Sequence, residues 1–145
     1  MDKIKIIIVC LLVPFFVLAA FTFHKIKSKE EFQQKAVLAK EMRKAMEHLM
    51  LDLLKARKDT ILNAPADGLW HNRIAFTHAK QGALEYWIKD GHLLRINNGK
   101  TILIADDIGD LRIRRQPQTP DIMEVQIEAQ NNVSLISNLK VRINQ

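Results

Sequence analysis

Cysteine is nearly absent: Cys10 is the only one in 145 residues, and it sits inside an apolar run. One thiol cannot build an internal disulfide framework or a thiolate metal cluster. The five histidines, His24, His48, His71, His78 and His92, contain no HExxH and no pair at metal-ligand spacing on a predicted helix, so no zinc centre is expected. P-loop, GxGxxG and GxSxG motifs are missing too, which removes the common phosphate cradles and nucleophile elbows. The pattern predicts a non-enzymatic protein with no cofactor and no small-molecule substrate. Glycine and proline are scarce, at five and four, and unevenly placed, because residues 26–62 contain neither.

The net charge of +6 is also uneven. Residues 24–62 hold ten Lys and Arg against six Asp and Glu, whereas residues 63–145 hold ten against nine. The second half is nearly neutral, so no nucleic-acid partner is expected from it. At this length there is room for one modest globular unit beside an anchor.

That anchor is read at residues 1–25. Ile6 to Phe23 carry no charge, and thirteen of these residues are Ile, Val, Leu or Phe. As a helix the run would span about 27 Å, close to the hydrocarbon thickness of a bilayer. The thirteen side chains favour insertion by roughly 4 to 8 kcal/mol. Pro14 removes one backbone donor and predicts a kink. Lys3 and Lys5 precede the run while Lys25, Lys27 and Lys29 follow it, so charge alone does not orient it. The short N-terminal stub predicts a single-pass protein of the inner (cytoplasmic) membrane, with the N-terminus inside and the rest periplasmic or extracellular. A competing reading is a cleaved signal peptide ending near Val17, Leu18 and Ala19.

Residues 26–62 are rich in strong helix formers, and Leu38, Met42, Ala45, Leu49, Leu53 and Ala56 recur at three- and four-residue steps. Met46, Met50, Leu54 and Ile61 widen that stripe. Asn63, Ala64 and Pro65 supply a stop. An amphipathic helix over 26–62 is predicted, continuous with the anchor. Its first turns, with five lysines between Lys25 and Lys40, are read either as a contact with anionic membrane lipids or as a solvated stalk.

In residues 63–145 the period switches to two. Arg73–Thr77, Ala83–Lys89, His92–Ile96, Thr101–Ala105, Leu111–Arg115, Met123–Ala129 and Val133–Ile143 read as strands. Turn residues separate them at Lys80-Gln81-Gly82, Asp90-Gly91 and Asn97-Asn98-Gly99. The fold class expected is α+β: a long N-terminal helix, membrane-spanning then amphipathic, packed on a C-terminal antiparallel sheet.

Three groups stand out as candidate contacts. Asp106, Asp107 and Asp110 cluster around Gly109 as calcium ligand candidates, but without the alternating spacing or terminal Glu of an EF-hand the segment is read first as a solvated strand connector with no metal. Arg112 and Arg114, with Arg115, Lys140 and Arg142 nearby, form a candidate basic contact face, although alternation on a half-exposed strand predicts a charged outer face anyway. Ile6, Pro14, Phe16, Leu38, Met42, Leu49 and Leu53 are candidates for packing against the membrane or a partner helix. Trp70, Tyr86 and Trp87 are read as packing residues, with the adjacent Tyr86 and Trp87 on opposite faces.

The order of apolar helix, amphipathic helix and small antiparallel sheet resembles the type IV pilin-like family, particularly minor pseudopilins of type II secretion. The likeness continues through Gly82, Leu84, Tyr86, Ile88, Asp90-Gly91, Leu93, Arg95, Asn98-Gly99, Leu103, Ala105, Ile108, Leu111 and Ile113. The resemblance implies a pilin-like fold and a structural subunit of a pilus-like or secretion-like envelope complex. Its partners would be other pilin-like subunits, met through the N-terminal helix. The family's basic leader ending in Gly before Phe, and the Glu early in its membrane helix, have no counterpart here. The readings that stay open are an unprocessed pseudopilin, an accessory component of the same assembly, and an unrelated membrane protein with a convergent layout. Outside the resemblance, an anchored extracytoplasmic binding module is the alternative function.

Overall fold

The computed structural model describes the backbone of residues 2–130 and 135–143, and the side chains of residues 25, 27–130 and 135–143. The chain divides into two units, Met1–Ala36 and Val37–Gln145. Helix α1 is Asp2–Leu53, with continuous side-chain description from residue 27. A 3-10 turn follows at Lys58–Thr60, and then seven strands: β1 Arg73–His78, β2 Gly82–Lys89, β3 His92–Asn97, β4 Lys100–Ala105, β5 Ile108–Gln116, β6 Thr119–Ala129 and β7 Ile136–Arg142.

Hydrogen bonding sorts these strands into two antiparallel sheets, β1-β2-β3-β4 and β5-β6-β7. This corrects the expected α+β arrangement of a long helix laid on one antiparallel sheet. One helix is described with its side chains, over residues 27–53, and strand, at about 49%, outweighs it. Two local events account for the difference.

The first is the helix end. After Leu53 the bonding tightens, with Lys55 N–H donating to Asp52 O and Ala56 N–H to Leu53 O, both at 3.1 Å. Arg57 N–H then bonds Thr77 O at 2.9 Å, and Leu62 bridges Ala75. Residues 54–62, whose apolar spacing predicted more helix, instead follow the edge of β1 through turns and the 3-10 turn, touching it at the bridges Ala56–His78 and Leu62–Ala75. Asn63 does take the left-handed backbone (φ 62°), but well past the helix end.

The second is the break between β4 and β5. Asp107 turns the chain with φ 57°, and Ile108 N–H bonds Gly91 O at 2.9 Å. The edge of β5 opposite β6 is taken by the loop before β1: His71 and Ile113 exchange hydrogen bonds of 2.8 and 2.7 Å, and Gly68 N–H bonds Arg115 O at 2.9 Å. No edge of β5 is left for β4, so one meander becomes two sheets.

In the Val37–Gln145 unit a single apolar cluster joins the α1 stripe to the inner faces of both sheets. Leu38, Met42, Ala45, Leu49 and Leu53 lie in it with Ile74, Tyr86, Leu93, Leu111, Ile113, Met123 and Ile127. Burying each such Leu or Ile contributes about 1.5–3 kcal/mol. Alternation does the sorting in β6, where Met123, Val125, Ile127 and Ala129 are buried while the residues between them are half-exposed. Tyr86 points inward and stacks on Phe76 at 6.4 Å, while its neighbour Trp87 faces outward under the Arg73 guanidinium.

Among the residues whose side chains are described no helix is long and apolar enough to cross a membrane. The expected anchor, with Ile6, the Pro14 kink and Phe16, lies outside the residues whose side chains are described.

Candidate functional site

Strand pairing lines up residues in rows across the outer face of the three-stranded sheet. One row is Arg114, Glu124 and Lys140, and the next is Arg112, Gln126 and Asn138. In the first row Arg114 donates to Glu124 Oε2 from Nε at 2.9 Å and from Nη2 at 2.5 Å, and Lys140 Nζ lies 3.0 Å from Oε1. These bonds hold the Glu124 carboxyl below the usual range, Arg114 contributing most and Lys140 next. In the second row Arg112 turns aside to Asp110 at 2.6 Å, and the Gln126 and Asn138 amides sit opposite each other.

A tryptophan overhangs these rows. Trp70 belongs to the loop Asp67–His71, which is fixed to β5 on both sides of it through Gly68 and His71. Gly68 has φ 79°, a left-handed conformation that glycine adopts without a Cβ penalty. Inside the loop Asp67 Oδ1 accepts the Leu69 N–H at 2.9 Å and lies 3.0 Å from His71 Nε2. The His71 hydrogen bond is the main cause of a lowered Asp67 pKa. The Arg114 guanidinium lies 4.3 Å from the centre of the Trp70 ring, so Glu124 holds the arginine and the arginine holds the ring. Trp70 nevertheless stays 43% exposed. Between it and the strands lies a groove of about 410 Å³, lined by Trp70, Arg114, Glu124, Gln126, Asn138 and Lys140 with Val125 and Leu139.

A second polar cluster is closed to solvent. Asp52, on the last turn of α1, accepts from Tyr86 Oη and from Arg95 Nε, both at 2.7 Å on Oδ2. His78 Nδ1 accepts from the backbone of Lys80 and Gln81 at 3.0 and 3.1 Å, so its proton sits on Nε2, which lies 3.8 Å from Asp52 Oδ1. Burial pushes the Tyr86 hydroxyl pKa well up, aided by the bond to Asp52. Burial opposes the Arg95 charge, yet the Asp52 bond and the neighbouring Tyr86 outweigh it and the pKa is raised. All four side chains are buried, so the cluster ties α1 to β1, β2 and β3 and meets no substrate.

The candidates read from sequence are placed as follows. Arg112 and Arg114 do share one face, but as halves of ion pairs rather than as a free basic patch. Arg142 is likewise opposite Asp121 at 3.3 Å. Asp106, Asp107 and Asp110 are not brought together: Asp106 bonds His92 Nδ1 at 2.7 Å and Asp110 bonds Arg112. Among the described residues no group of three His, Cys, Asp or Glu is placed to hold a metal ion. Leu38, Met42, Leu49 and Leu53 are buried in the chain's own core and offer no surface to a partner helix. Sequence reasoning treated Trp70 as packing and passed over Gln126 and Asn138. The readable signal was charge alternation, Arg114 on one strand against Glu124 and Lys140 on the next two.

No family model, curated protein or solved structure matches this chain.

Proposed function

We propose that this chain is a non-enzymatic subunit of a pilus-like or type II secretion-like envelope assembly, tethered to the inner membrane by residues 6–23. The tether rests on that uncharged apolar run. The observation that carries the assembly reading is β4, an edge strand whose first four residues are all exposed. Ile102 is 42% and Leu103 51% exposed, so apolar side chains flank an edge whose backbone groups pair with no other strand among the described residues. Such an edge accepts an added strand from a partner. The α1 stripe from Leu38 to Leu53 serves the chain's own core, so within the Val37–Gln145 unit β4 offers a lateral contact beside any made by the N-terminal helix.

The closing pair of the β3–β4 hairpin is Asn97 with Lys100, and hydrogen-bonded pairs alternate with unbonded ones, so Thr101 turns its N–H to the free edge. Thr101→Pro therefore removes a donor that a partner strand needs while sparing the β3 ladder. Photo-crosslinking from position 103 in cells is expected to give discrete adducts with envelope proteins, lost in Thr101→Pro. Absence of adducts from a correctly folded chain overturns the reading.

The groove beneath Trp70 favours a second reading, an anchored extracytoplasmic binding module. It is supported by a large aromatic surface held exposed and rigid, which a purely structural loop has no need to display.

A further inference from the structure

We infer that the Trp70 groove binds a neutral saccharide, an inference that rests on the binding-module reading and names its ligand class. Three features of the site converge on that chemistry.

The first is the ring itself. Its loop is clipped to β5 at Gly68 and His71 and its indole is braced by Arg114, so no side-chain freedom is lost when a ligand lands on it. A rigid, half-open indole presents a flat apolar surface of the kind that the C–H face of a pyranose can cover. The guanidinium lies against the ring, and 43% of the residue stays exposed.

The second is the floor. Gln126 and Asn138 form a cross-strand pair of amides in the groove lining, and among the described residues neither side chain has a hydrogen-bond partner. Each amide offers a carbonyl acceptor and two N–H donors. Two such groups side by side match vicinal hydroxyls, which both donate and accept.

The third is the electrostatics. Arg114 and Lys140 converge on Glu124, so both cations are already paired with one carboxylate and the row carries a single net positive charge. A multiply charged phosphate or nucleic-acid ligand would meet the Glu124 carboxylate beside that one surplus charge, whereas a neutral hydroxyl accepts or donates at the outer lone pairs and protons of the row without disturbing it. The volume, about 410 Å³, lies in the range of small-ligand sites and is large enough for a sugar unit with part of its neighbour.

The test uses the full chain in a detergent without a sugar head group, applied to an array of neutral and anionic oligosaccharides, with hits titrated by calorimetry. The expected result is saturable binding of at least one neutral oligosaccharide. It should be unchanged between about 50 and 500 mM salt and weakened at least about tenfold in Trp70→Ala and in Gln126→Ala/Asn138→Ala. Trp70→Phe should keep part of the affinity, which separates lost stacking from lost folding. Binding confined to anionic glycans and abolished by salt overturns the inference, as does neutral-glycan binding that survives both variants. A peptide or lipid that competes for Trp70 with no sugar response overturns the ligand class and leaves the binding-module reading standing. A folded chain that binds nothing through Trp70 overturns both.

Discussion

The Tyr86 hydroxyl on β2 donates to Asp52 Oδ2 on the last turn of α1 at 2.7 Å, and the same oxygen accepts from Arg95 Nε on β3. A buried cation and a buried phenol therefore depend on one carboxylate. Asp52→Ala leaves the Arg95 charge in the core without a counter-ion, a change that costs about 3–5 kcal/mol in comparable pairs. Tyr86→Phe removes only one hydrogen bond to a charged acceptor, about 1.5–3 kcal/mol. Urea denaturation of the two variants should rank them in that order, and equal losses would show that the carboxylate does no more for Arg95 than for Tyr86.

His78 makes the same cluster sensitive to acid. Burial lowers its pKa, with Lys55, Arg95 and Lys80 adding in the same direction and Asp52 opposing. In the unfolded chain an ordinary histidine titrates near about 6.5, so below that pH the unfolded state takes up a proton the folded state resists. Stability is fully present above pH about 6.5 and falls as the pH drops towards the folded pKa, by at most about 1.4 kcal/mol per pH unit from this residue. Denaturation midpoints between pH 7.5 and 5 should show this limb, and His78→Gln should flatten it. A wild-type curve that is level over that range is the contrary outcome.

The turns were the most legible part of the chain. Asp90-Gly91 and Asn98-Gly99 adopt φ 52° with 78° and 48° with 81°, the paired left-handed values of tight hairpins that their residue types predict. Period-two alternation likewise pointed to the strands, as in β6 where it reports which side chains meet the core. By contrast β4 leaves four residues in a row exposed, and the start of the last expected strand, Val133–Ser134, lies outside the described residues. Helical spacing failed at Ala56 and Ile61, because a three- or four-residue step cannot reveal that Arg57 and Leu62 bond β1 instead of the preceding turn. The split into two sheets depends on the loop around His71 occupying β5, a long-range competition with no local signature. For the groove, the charged row was visible as alternation, but Trp70 reaches it only through that same loop.

Gly109 marks the register shift at the start of β5, lying between Ile108 and Asp110, which pair with Ala129 and Glu128. A Cβ there would sit 2.9 Å from Gln130 Cα and 3.0 Å from Ala129 O, both backbone atoms that cannot swing away. Gly109→Ala should therefore cost about 1–3 kcal/mol through forced backbone shifts. Gly99→Ala is the control: nothing lies within 4 Å of its Cβ, so any loss there comes from its φ of 81° alone. Amide exchange should separate the two, with Gly109→Ala loosening β5 and β6 and Gly99→Ala only the β3–β4 hairpin.

Arg115 is buried on carbonyl groups alone among the described residues. Its Nε and Nη2 donate to Pro120 O at 2.9 and 2.6 Å, and its Nη1 donates to Ala64 O at 3.3 Å. Burial lowers its pKa, yet a guanidinium stays charged at any ordinary pH, so the charge is tolerated because its planar fork spans two acceptors. Lysine in its place keeps a buried charge but has one nitrogen with which to reach both oxygens. Arg115→Lys should lose about 1–3 kcal/mol from the broken bonds, with desolvation of the compact ammonium adding to it. Arg115→Met loses the bonds but also the charge, so it should be the milder change at pH 7. The two are separable by pH: a buried ammonium has a depressed pKa, the unfolded chain then holds the extra proton, and Arg115→Lys should regain stability between pH 7 and 9.5. Arg115→Met should not, and a parallel response of both variants to pH would mean that position 115 is wet.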